Sequence, residues 1–242
     1  MTTLKVNAIE PEGATTNLAV GMTGQNVVVG GSGGIKVNTM KDAGGNTLWT
    51  SNGSGTVSSV NSAFGSAMIL LSTQTASGSA SISFTSGIDS TYKEYIFEFY
   101  DVNPATDNVA FTFNTSTDGG SNYNTTKTTT YTESWHNESD ASAAFGYIVA
   151  SDLAQSTSYQ HLTYGSGSDA DQSCVGELHL FNPASTTFVK DFYATSQNSY
   201  FSDGSTHNYI AGYCNTTSAV DAIDFKMSSG NFDGKIKMYG VK

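Results

Sequence analysis

The side chains able to do chemistry in this 242-residue chain are few: four histidines, 21 acids, ten lysines, two cysteines and no arginine. His136, His161, His179 and His207 show neither the helical i,i+4 spacing nor the neighbouring cysteine pair that a zinc site uses. His179 alternates with Glu177 and Phe181 along a strand-like run, the setting of a surface or half-buried histidine. No Gly-x-Ser-x-Gly elbow occurs, and with 33 serines a Ser–His coincidence carries no weight. Glu94 and Glu98 share a strand face but stand about 13 Å apart, beyond the roughly 5–9.5 Å between carboxylates that glycoside hydrolysis uses. A cross-strand partner such as Glu177 stays open. Asp118-Gly119-Gly120-Ser121-Asn122 and Asp169-Ala170-Asp171 present oxygens in turns as calcium sites do, without the spacing or closing Glu of an EF-hand, and read as solvated turns. The expectation is a non-enzymatic protein with no catalytic site, no metal and no cofactor.

Binding chemistry is better represented. Trp135-His136 and Tyr200-Phe201 are aromatic pairs in polar surroundings, able to stack on the C–H faces of sugar rings, to cap a core or to form a subunit contact. Gly30-Gly31-Ser32-Gly33-Gly34 lacks the following Lys-Ser/Thr and helix of a phosphate loop and reads as a linker. Cys174 and Cys214 are expected to be buried thiols that behave as small apolar residues. A net charge of −11 without arginine argues against nucleic acid. The longest apolar run, Ala67 to Leu71, is far short of a membrane span. Met1-Thr2-Thr3-Leu4-Lys5 lacks the basic region and apolar core of a secretory signal.

Ser, Thr, Asn and Gly make up 107 of the 242 residues, and aromatics 12%, a composition that favours strands over helices. The aromatics are unevenly placed. Of 28, only Trp49 falls in residues 1–63, and all the net charge lies beyond that point. A stretch so poor in large side chains cannot offset the entropy of ordering itself, so it is expected to fold against other chains. It also repeats. Leu4-Lys5-Val6-Asn7-Ala8-Ile9 recurs as Ile35-Lys36-Val37-Asn38-Thr39-Met40, each with a Gly nine residues after its start, and a second short apolar stretch follows each, the later one containing Trp49. Short strands with one apolar face suit a three-chain intertwined β-fibre, with Leu4, Val6, Ile9, Ile35, Val37, Met40 and Trp49 as the trimer or attachment contacts.

From residue 66 to 242 the pattern alternates with period two, as in Tyr95, Phe97 and Phe99 against Glu94 and Glu98. Strands are expected at 68–75, 79–85, 93–100, 109–113, 123–132, 145–150, 159–164, 174–181, 187–195, 209–214, 222–227 and 235–240, with one helical turn at 152–155. The last two are read as a closing hairpin through Ser228-Ser229-Gly230-Asn231. The fold class is all-β, a short-strand anchor segment followed by a jelly-roll-like antiparallel sandwich.

The motifs Leu-Lys-Val-Asn-Ala-Ile, Lys41-Asp42-Ala43-Gly44-Gly45-Asn46 and Ser51-Asn52-Gly53-Ser54-Gly55 resemble the N-terminal segments of tail-fibre-like structural proteins of marine bacteriophages. Thr117-Asp118-Gly119-Gly120-Ser121-Asn122-Tyr123-Asn124, Leu178-His179-Leu180-Phe181-Asn182-Pro183 and Phe225-Lys226-Met227-Ser228-Ser229-Gly230-Asn231 resemble the domain that often follows. The resemblance implies a virion protein assembled in the host cytoplasm, a homotrimer bound to other virion proteins through residues 1–63. Its sandwich would meet a host surface glycan or outer-membrane receptor, and the resemblance hands over no catalytic site. Capsid decoration is the alternative role for the same build.

Overall fold

The structure, a computed structural model, describes residues 38–60 and 67–242. The chain divides into two compact units, Met1–Gly65 and Ser66–Lys242. Among the described residues every regular element is a strand.

In the first unit, β1 (Thr39–Lys41), β2 (Thr47–Ser51) and β3 (Val57–Val60) form a three-stranded antiparallel sheet in that order. The β1–β2 turn is fixed by Asp42, whose carboxylate accepts the Asn46 backbone N–H at 2.8 Å and its side-chain amide. Those bonds hold the Asp42 carboxyl below its usual range, and Gly45 supplies the positive φ of 83°. Met40 stands opposite Trp49, and Trp49 opposite Val60. Cross-strand partners share a face, so these three form an apolar row in which Met40 and Val60 are exposed. The other expected contacts, Leu4, Val6, Ile9, Ile35 and Val37, lie outside the described residues.

The second unit holds twelve strands: β4 (Met68–Ser79), β5 (Ile82–Phe84), β6 (Glu94–Pro104), β7 (Phe111–Ser116), β8 (Lys127–Asn137), β9 (Ala143–Tyr147), β10 (Gln160–His161), β11 (Cys174–Phe181), β12 (Lys190–Tyr200), β13 (Gly204–Cys214), β14 (Ala222–Met227) and β15 (Phe232–Val241). Eight of them form one antiparallel sheet, β4-β15-β6-β11-β12-β13-β8-β9, and four form another, β10-β7-β14-β5. The core lies between the sheets. Period-two alternation sends Tyr95, Phe97 and Phe99 inward from β6 and Phe111 and Phe113 inward from β7, all at most 1% exposed. Phe225 of β14 sits at the centre, its ring centroid 5.6 Å from that of Phe97 and 5.9 Å from that of Phe111. Each such ring contributes about 2 kcal/mol by leaving water.

Two local expectations are corrected. β14 and β15 do not form a hairpin: β14 pairs with β5 and β7 in the small sheet, β15 with β4 and β6 in the large one. The alternation of each strand is the same in either arrangement, but both have apolar faces to bury, and facing one another across the core buries both. The helical turn at 152–155 is absent. Leu153 N–H donates to Thr129 Oγ1 and Gln155 N–H to Thr128 Oγ1, so this backbone is satisfied by β8 and needs no i−4 partner.

Candidate functional site

At one end of the sandwich, β8, β12 and β13 bring Glu133, Trp135, Tyr200 and Thr206 around a cavity of about 230 Å³. Strand alternation explains the grouping. Glu133 and Trp135 are two apart on β8, and Thr206 lies opposite Trp135 in the β13 ladder, so all three project from the inner face. Tyr200 ends β12 with the parity of the inward residues Phe192, Ala194, Ser196 and Asn198.

The floor beneath this cavity is polar and closed. Tyr131 Oη donates to Asn208 Oδ1 at 2.7 Å, and the Asn208 amide donates to Ser196 Oγ and Asn198 Oδ1, each at 3.0 Å. Thr206 Oγ1 donates to Asn198 Oδ1 at 2.5 Å. A satisfied network of this kind holds side chains in one arrangement. Glu133 is the exception. It is 7% exposed and its Oε2 has no hydrogen-bond partner. Burial without compensation pushes its carboxyl above the usual carboxylate range. A buried acceptor that is left unpaired costs about 1–3 kcal/mol.

The aromatic wall is positioned from behind. Gly165, at φ 61°, lets the Tyr200 ring lie against the backbone; a Cβ there would fall 2.3 Å from Tyr200 Cε2. Phe201 packs on Tyr200 with centroids 4.6 Å apart, and its N–H donates to the Gly165 carbonyl. The four aromatic candidates thus divide. Trp135 and Tyr200 wall the cavity, and Phe201 buttresses Tyr200. His136 projects from the opposite face of β8 and contacts Asp140 Oδ1 at 3.1 Å. Trp135 and Tyr200 are half-buried strand residues rather than loop residues, because the backbone pairing of β8, β12 and β13 continues past their apolar portions.

On that opposite face His136 lines a separate cleft of about 440 Å³ with Glu138, Asp169, Asp171 and Asp203. Among the described residues no three His, Cys, Asp or Glu side chains are grouped to hold a metal ion. The Asp118 carboxylate is occupied locally. It accepts from Ser116 Oγ, the Asn122 amide and the Asn122 N–H, which lowers its pKa to about 2.

On the outer face of the large sheet, His179 Nδ1 lies 2.6 Å from Glu94 and its Nε2 3.4 Å from Glu177, and its ring stacks on Tyr193 at 4.5 Å. Glu177 does stand opposite Glu98. This histidine is held by its neighbours on an open sheet face. Cys174 and Cys214 are free and buried, and desolvation raises both thiols.

Glu133 and Thr206 escaped sequence reasoning. The strand reading stopped at Thr132 because the residues after it are polar or singly aromatic. Carrying the alternation on would have put Glu133 and Trp135 on one face. Compared with known proteins, the chain matches no family model, no curated protein and no solved structure.

Proposed function

We propose that this protein is a non-enzymatic virion component of a bacteriophage, a short trimeric fibre or appendage whose sandwich attaches to a neutral glycan on the host surface. The observation that carries the reading is the unpartnered Glu133 carboxylate buried at a cavity walled by Trp135 and Tyr200. A sugar ring offers both things this cavity asks for: apolar C–H faces for the two rings and a hydroxyl donor for Glu133. The net charge of −11 disfavours anionic sugars. The Met40–Trp49–Val60 row, exposed at Met40 and Val60, supports a role for the first unit in association, and three chains multiply a weak site by avidity.

The test is binding of the purified chain to host envelope polysaccharide by calorimetry, beside Trp135→Ala. Saturable heat that is lost in the variant supports the reading; no heat with any host glycan, or full retention by the variant, overturns it. Sedimentation as a monomer would overturn the trimer. Antibody labelling of virions separates the two particle roles, since hundreds of copies on the shell would mean capsid decoration and tens or fewer an appendage.

A further inference from the structure

Lys127 opens β8 and its whole side chain is buried. Its Nζ donates to two uncharged oxygens, the side-chain carbonyl of Asn114 on β7 and the backbone carbonyl of Thr125. An ammonium ion buried among neutral partners is strongly disfavoured, and desolvation lowers the Lys127 pKa to about 8. The free amine is therefore reached near pH 8 instead of above 10, and the group rests against a carboxamide that is itself 0% exposed.

That carboxamide is held on every side. Oδ1 also accepts the Thr115 N–H at 2.8 Å, while Nδ2 donates to the carbonyls of Tyr123 at 2.8 Å and Thr157 at 2.9 Å. An amine hydrogen-bonded to Oδ1 lies one C=O bond from the electrophilic carbon, with water excluded and both groups fixed, which are the conditions under which a desolvated lysine acts as a nucleophile.

We propose that Lys127 and Asn114 become joined by a side-chain amide bond that ties β8 of the large sheet to β7 of the small one. The Lys127 Nζ lone pair attacks Asn114 Cγ, and the carbonyl electrons move onto Oδ1, where the Thr115 N–H meets the developing negative charge. One proton passes from Nζ to Nδ2. The C–Nδ2 bond then breaks, the carbonyl re-forms and ammonia leaves. No oxidant or reductant takes part, and the product buries a neutral amide in place of an amine.

The full-length chain tests this directly. Its intact mass is expected to fall short of the sequence mass by one ammonia, about 17 Da. After denaturation, trypsin is expected to leave residues 94–190 as one peptide, since acylated Lys127 is no longer a cleavage site, and fragmentation places the link between Asn114 and Lys127. Lys127→Arg and Asn114→Ala each restore the full mass. A full wild-type mass, or ordinary cleavage after Lys127, would overturn the proposal, as would a deficit located at a cyclised Asn52-Gly53.

Discussion

Glu133 and Lys127 project from the same face of the same strand, six residues apart, and burial opposes the charge of each. What surrounds them differs. Lys127 is enclosed by β7 and the segment around Thr125, with neutral oxygens at its amine. Glu133 faces a cavity with one oxygen unpaired. Burial thus has opposite uses at the two positions. At Lys127 it eases deprotonation of a nucleophile next to its target; at Glu133 it leaves an acceptor unsatisfied beside a cavity.

The largest effect should come from the lysine end. A bond between residues 13 apart constrains the unfolded chain as a short disulfide loop does, about 3 kcal/mol or roughly 6–12 °C in melting temperature. Asn114→Ala should therefore melt lower than the wild type by at least that much in calorimetry. The same pair of proteins gives a pH test. A free Lys127, depressed in the fold, would bind fewer protons than in the unfolded chain between about 8 and 10.5, so wild-type stability would rise across that window. With the amide formed the proton is gone, and the difference between wild type and Lys127→Met should stay flat there.

The cavity end should respond next, in binding rather than in stability. Trp135→Ala is expected to weaken glycan affinity at least tenfold, about 1.4 kcal/mol. Gly165→Ala should do nearly as much without touching ligand, because its Cβ would displace the Tyr200 ring. Equal affinity in Gly165→Ala would show that Tyr200 is not part of the site.

Glu133 should give a pH effect on stability at the acid end. Its folded pKa is raised, so the folded chain holds its proton longer. Stability is greatest below the unfolded value of about 4.3 and falls as pH rises through the folded pKa. Glu133→Gln lacks this loss, so its melting temperature should gain on the wild type by about 2–5 °C between pH 4 and 7. A gap that does not change with pH would mean that Glu133 is solvated. The smallest effect belongs to Asp118, whose exposed carboxylate titrates near 2. Its contribution is complete above the ordinary carboxylate range and lost as pH falls through about 2, and Asp118→Ala should lower the melting temperature slightly at neutral pH.

The strands that line the core were legible because each buries a face. Cys174–Phe181 and Ala222–Met227 have the limits their alternation implies, and Phe97, Phe99, Phe111 and Phe225 are core residues on pattern alone. Partnership was not legible. The run from Ile223 to Met238 satisfies a hairpin and an inter-sheet arch equally, since a strand's own alternation does not record which neighbour it pairs with. The site was half legible for a related reason. Trp135 and Tyr200 stood out as aromatics in polar surroundings, but their approach depends on the register of β8, β13 and β12.

By itself the sequence determined the class of protein: all-β, acidic, with an aromatic-poor first unit and an aromatic-rich second one, because composition and period-two alternation are local properties that each residue carries with it. Only the tertiary structure decided which polar side chains are buried and what they touch. Lys127 meets Asn114 because strands of two different sheets pack together, and Glu133 is left unpaired because the network around Asn208 closes without it. Burial turns an ordinary lysine and an ordinary glutamate into groups with chemistry, and burial is a property of the assembled sheets.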